Sequence, residues 1–198
     1  MARRDGDARA DRRARYTQQV IRDAMLDLLG RKRFDRITVT ELCKQSEINR
    51  GTFYLHYYDT RDVLDDLIDE MLADTSSMME HVFCPQRKQC SYPLCEKIQG
   101  NPRFQPLFFD DVASARVLER ITGECAEGFI THLMQNSCLT YEQAEAVFHF
   151  QINGCLTVNR MMLKNRCADW RQIQRVIDDY IRAGLTSLTS AAAAGSAR

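Results

Sequence analysis

Apolar residues recur along most of this chain at three- and four-residue intervals, the period of helices with one buried face. Ile21, Met25 and Leu28 stand at i, i+4 and i+7, flanked by Val20, Ala24 and Leu29, and predict a first helix over 12–30. Gly30 offers a left-handed stop, and Arg31, Lys32 and Arg33 suit a helix C-terminus. Thr38 with Glu41 three residues on reads as a capping box for a second helix to about Gln45. Ser46-Glu47-Ile48 reads as a turn, and Asn49 opens a third short helix to about His56. Asp59 or Thr60 caps a fourth, whose stripe of Val63, Leu64, Leu67, Ile68, Met71 and Leu72 reaches toward His81. All four prolines then fall between Pro85 and Pro106, which predicts a loop with short helical pieces. Periodicity returns with Val117, Leu118, Ile121, Cys125, Phe129 and Leu133. Thr140 with Gln143 caps a helix to about Asn165, and Asp169 caps a last one through Leu188. No strand alternation competes, so the fold class is all-α.

The organisation that follows is a basic arm over 1–11, a three-helix head over 12–60, a helical body over 61–190 and a frayed tail over 191–198. Composition is that of a globular protein, with 44% hydrophobic residues and a net charge of zero, which excludes collagen-like and wholly disordered classes. No apolar run is long enough to span a membrane, and the Arg-rich start lacks the apolar core of a secretory signal. A cytoplasmic location with reduced thiols is expected. Zero net charge hides an asymmetry: residues 1–60 hold 13 basic and 9 acidic side chains, a net of +4, and the remainder carries −4. A basic head on an acidic body points to a polyanionic partner for the head.

Three short helices in about 45 residues, the last two joined by a tight turn, match helix-turn-helix geometry. Ala24, Leu28, Ile37, Val39, Leu42, Ile48 and Phe53 supply a minimal core. The third helix then offers polar side chains to base edges. The run Ile37-Thr38-Val39-Thr40-Glu41-Leu42-Cys43, the run Ile48-Asn49-Arg50-Gly51-Thr52-Phe53-Tyr54-Leu55-His56-Tyr57 and the start Asp62-Val63-Leu64 resemble the TetR family of bacterial repressors. The resemblance covers roughly residues 12–70. It implies that Asn49, Arg50 and Thr52 read the major groove, where Arg grips guanine and Asn grips adenine through paired bonds. It places Tyr54 and His56 at phosphates, with packing an equal role for His56. Thr38 stands where a hydroxyl holds a phosphate, although capping alone accounts for it. Gly51 permits close approach. The family often carries Lys at the position of Thr60, which here has no charge. Arg12 and Arg13, with Arg9 and Arg15, are placed to compensate along the DNA backbone or minor groove.

The resemblance further implies a homodimer built on the last two helices, a small-molecule effector and double-stranded operator DNA as partners. The helix over 141–165 is apolar on more than one face, which calls for a second partner. Met78, Phe104, Phe108, Ile121, Cys125 and Phe129 are candidates for lining an effector pocket, with ordinary core packing the alternative for each. Cys84, Cys90 and Cys95 set three thiols in the proline-rich stretch. They are candidates for a soft-metal site, for thiol sensing or for loop packing, and their spacing matches no established zinc motif. No cofactor is expected. A helical enzyme is the competing class, but H-E-x-x-H, Gly-rich phosphate loops and paired catalytic carboxylates are all missing from the chain. A DNA binder of the same fold without an effector is the third reading.

Overall fold

The computed structural model describes residues 2–73, 100–165 and 169–195, and these are helical with no strand. Eight α-helices appear among them: α1 (Ala2–Leu29), α2 (Val39–Gln45), α3 (Arg50–Tyr54), α4 (Thr60–Leu72), α5 (Gln105–Phe109), α6 (Asp111–Gln135), α7 (Tyr141–Lys164) and α8 (Trp170–Gly195). Single 3-10 turns stand at Phe34–Arg36 and Pro102–Phe104. Two expectations at the chain ends differ from what is seen. Helix α1 continues back to Ala2 through the stretch read as an arm, and α8 runs into the stretch read as a tail. The end of α1 also departs from expectation. Gly30 has no positive φ; the chain leaves the helix through bonds from Gly30 N–H to the Leu26 carbonyl and from Arg31 and Lys32 N–H to the Leu28 carbonyl.

The chain divides into two compact units. The first comprises Met1–Met71 and Pro106–Arg116, the second Leu72–Gln105 and Val117–Arg198. The first therefore takes in more than the 12–60 head, adding α4 and the segment from Pro106 to Arg116. Its core joins Ile21, Met25 and Leu29 of α1 to Leu42, Phe53, Tyr57 and the α4 stripe Val63, Leu64, Leu67, Ile68 and Met71. Leu28, Val39 and Ile48 are only half-buried.

Partly buried ion pairs hold this unit together. Arg22 of α1 reaches Asp66 and Glu70 of α4, each at 2.9 Å, and the Tyr57 hydroxyl also donates to Asp66. Burial and that carboxylate push the Tyr57 hydroxyl well above the usual phenol range. On another face of α4, Asp65 takes Arg116 through contacts of 2.8 and 2.6 Å. Asp110 adds a third tie. Its carboxylate is buried. One oxygen accepts from Val112 and Ala113 N–H at 2.9 Å, capping α6, while the other accepts from Phe34 N–H at 2.8 Å.

In the second unit Val117, Ile121, Cys125 and Phe129 form the buried stripe of α6, and Ala144, Phe148, Ile152, Cys155, Asn159 and Met162 the buried face of α7. Phe129 and Phe148 meet with ring centroids 5.4 Å apart. Thr140 and Gln143 form the expected capping box. Trp170 at the start of α8 packs with Met162, Val158 and Ile173.

Candidate nucleic-acid interface

Helix α3 has only 5 residues, so its ends govern its geometry. Thr38 caps α2. Its Oγ1 accepts from Glu41 N–H and donates to Glu41 Oε2, which also takes Thr38 N–H. Both capabilities of the hydroxyl are thus engaged in the reciprocal cap. Lys32 stands against Glu41, and this contact first, then Thr38, holds the Glu41 carboxyl below its usual range.

Helix α2 closes in a Schellman turn: Ile48 N–H bonds the Cys43 carbonyl at 3.0 Å and Glu47 N–H the Lys44 carbonyl at 3.4 Å. The turn needs a left-handed residue, and Glu47 supplies it at φ 56°. A side chain in that region is strained, which is why glycine is the usual occupant. This was not legible as a glycine-marked turn.

Asn49 then caps α3. Its Oδ1 accepts from Thr52 N–H at 2.8 Å and from Thr52 Oγ1 at 3.2 Å. A Cβ on Gly51 would come within 3.2 Å of the same oxygen, so glycine leaves the capping amide its room. Asn49 is thereby left with its Nδ2 donors for another molecule. A paired grip on adenine needs the oxygen as well.

Arg50 is exposed. Its guanidinium donates to the Tyr54 hydroxyl at 3.1 Å and lies 5.8 Å from that ring's centroid. Tyr54 in turn stands edge-on to the fully buried Phe53, with centroids 5.4 Å apart. The core thus steadies a tyrosine, and the tyrosine steadies an exposed arginine. His56 is half-buried, and its N–H bonds the Phe53 carbonyl. Leu55 and Tyr58 are exposed beside it; sequence reasoning singled out neither. Thr60 starts α4 half-buried, with Arg61 exposed next to it, and Asp59 caps both Arg61 and Asp62 N–H. Arg12 and Arg13 are exposed on α1.

The structure groups Thr38, Asn49, Arg50, Gly51, Thr52, Tyr54 and His56 between the cap of α2 and the exit of α3, in one unit. The pocket candidates divide. Phe104, Ile121, Cys125 and Phe129 are buried in the second unit, and Phe108 is buried in the first. Burial pushes the Cys125 thiol up to about 11. Met78 and the cysteines Cys84, Cys90 and Cys95 lie outside the described residues. Among the described residues no group of three His, Cys, Asp or Glu side chains is disposed to hold a metal, and no helix is long and apolar enough to cross a membrane.

No family model matches the chain. Over 114 residues it is 32% identical to an uncharacterized HTH-type transcriptional regulator, YxbF, of Bacillus subtilis (strain 168); the match takes 50% of this chain and 30% of that protein, so the chain spans about a third of its relative's length. Among solved structures it is similar to the TetR family repressor AlkX from Dietzia sp. strain DQ12-45-1b, implicated in biodegradation of n-alkanes. That match has 16% identity and a TM-score of 0.41, and covers 87% of this chain and 97% of that one. The chain is similar in sequence to a helix-turn-helix transcriptional regulator, and its residues 37–64 carry the resemblance to the TetR family.

Proposed function

We propose that this chain is a sequence-specific, DNA-binding transcriptional regulator of the TetR type, acting as a homodimeric repressor that a small effector releases. The supporting observation is the capped α2–turn–α3 unit, which presents Arg50, braced by Tyr54, on an exposed short helix. An arginine so placed suits the paired acceptors of guanine in the major groove. Asn49 contributes its Nδ2 donors, Thr52 and Tyr54 flank the helix, and Arg12, Arg13 and Arg61 supply cations for phosphates. Thr38 and Gly51 serve by shaping the unit. No catalytic step enters this reading, and its place of action is the cytoplasm.

The dimer reading draws on the faces that α7 and α8 turn away from their own core. Phe150 is 73% exposed and Met161 49%, while Val176 is 62% and Tyr180 67%. Large apolar side chains left bare on two consecutive helices suit a second copy of the chain. Leu156 and Ile177 are half-buried and serve that face less directly.

The test is selection of duplexes from a random library by the full chain, followed by affinity measurement. A defined motif should emerge, and Arg50→Ala should lose its guanine preference at a cost of about 1–3 kcal/mol. Selection without a motif refutes the reading. Sedimentation should show a dimer, converted to a monomer by Tyr180→Glu.

A further inference from the structure

Two neighbouring side chains of α8 carry polar atoms that the fold leaves unanswered. Trp170 and Gln174 stand four residues apart, on one face of the helix, and are 5% and 8% exposed. The indole Nε1 of Trp170 and both amide atoms of Gln174, Oε1 and Nε2, are buried with no hydrogen-bond partner among the described residues. Trp170 clusters with Met162, and Val158 and Ile173 pack against that pair. Polar groups inside folded proteins are nearly always paired. Three unpaired atoms on one helix face therefore mark the place of an absent partner.

The atoms also define the chemistry of that partner. Trp170 Nε1 and Gln174 Nε2 are donors, and Gln174 Oε1 is an acceptor. A hydroxyl oxygen accepts twice and donates once, the complement of two donors and one acceptor. A carboxylate would set its charge against Gln174 Oε1, and an ammonium would face two N–H donors. We propose that Gln174 and Trp170 anchor the hydroxyl end of a neutral amphiphile whose apolar body lies against Met162, Val158 and Ile173. The anchoring atoms are closed to solvent in the free chain. Entry therefore parts the first turns of α8 from α7, and the hydrogen bonds gained offset the packing lost. The site deepens the effector reading above and rests on it only for its consequence at DNA.

Trp170 is the single tryptophan of the chain, so its emission reports this site alone. The full-length protein, without DNA, is titrated with benzyl alcohol and with ethylbenzene, which matches it in shape and lacks the hydroxyl. Benzyl alcohol should shift the emission saturably, and ethylbenzene should bind about tenfold more weakly. Gln174→Leu fills the same space without polar atoms. It should raise the thermal midpoint and erase the preference for the alcohol. Gln174→Met makes the same test should the leucine variant misfold. Equal response to both probes, no saturable response to either, or a preference that survives both substitutions overturns the proposal. So does a Gln174→Leu variant less stable than wild type with neither probe bound, the mark of a site that holds only water. DNA binding is scored separately on the selected duplex. Its loss with alcohol binding intact sinks the regulator reading, and the reverse sinks the ligand site.

Discussion

Changing Asp110 to asparagine alters one atom of a side chain that holds three backbone N–H groups. Oδ1 caps α6 through Val112 and Ala113, and Oδ2 takes Phe34 N–H at 2.8 Å. Asparagine keeps one oxygen. If it stays on the cap, an NH2 group faces the Phe34 N–H, donor against donor. A hydrogen bond to a charged group contributes about 1.5–3 kcal/mol, and a buried N–H left unpaired costs a similar amount. Asp110→Asn should therefore destabilise the first unit by about 2–3 kcal/mol. Asp110→Ala also loses the N-cap, worth about 1 kcal/mol more. Urea denaturation gives the sum of these terms. Hydrogen exchange locates them: protection of the Phe34 amide should fall about 30- to 150-fold in the asparagine variant, since each tenfold is about 1.4 kcal/mol. An Asp110→Asn protein with an unchanged urea midpoint and a fully protected Phe34 amide would refute this account of the segment from Pro106 to Arg116.

Three further outcomes are expected. Glu47→Gly should relieve the left-handed strain and stabilise the chain by about 0.5–1 kcal/mol; a lower denaturation midpoint would show that the Glu47 side chain contributes more than the strain removes. Asn49→Asp keeps the oxygen that caps α3 but removes the Nδ2 donors, so thermal stability should hold while affinity for the selected duplex drops, whereas Asn49→Ala should lose both; equal affinity for wild type and Asn49→Asp would show that this amide does not touch DNA. The Glu41 carboxyl is held below its ordinary value of 4.5 by Lys32 and Thr38. Its contribution is thus present above pH 4.5 and lost as pH falls through the lower folded value. Wild type should lose its stability advantage over Glu41→Gln across that acid range, and parallel pH profiles for the two proteins would contradict the assignment.

What could be read in advance was local. The capping boxes Thr38–Glu41 and Thr140–Gln143 are both present, because a cap is a contact over three residues and its residue types announce it. The third helix was legible through Asn49, a good cap residue, but the same cap commits the oxygen assigned to base reading. The glycine rule failed in two places. Gly30 is not left-handed, and Glu47 is. The demand for a left-handed residue comes from the turn between α2 and α3, and the residue type there does not advertise it. Asp110 was out of reach because its partner Phe34 lies 76 residues away and nothing local specifies the pairing. Trp170 reads as part of the apolar pattern of the last helix and Gln174 carries no local signal, so their unanswered polar atoms emerge only in three dimensions.

The ion pairs of the first unit bear on how salt dependence should be read. Arg22 is committed to Asp66 and Glu70, Lys32 to Glu41 and Arg116 to Asp65. A cation already matched by a protein carboxylate brings no condensed ion off a nucleic acid when the two meet. Arg12, Arg13, Arg36, Lys44, Arg50 and Arg61 are exposed and have no ion pair among the described residues. A plot of log affinity against log salt loses about 0.9 per phosphate neutralised, and its slope would count members of this second group. The committed pairs are half-buried and little screened, so added salt thins the ion atmosphere term while the geometry of the head stays as it is. A salt titration of this chain would thus measure how many uncommitted cations meet the duplex, free of any change in the shape that carries them.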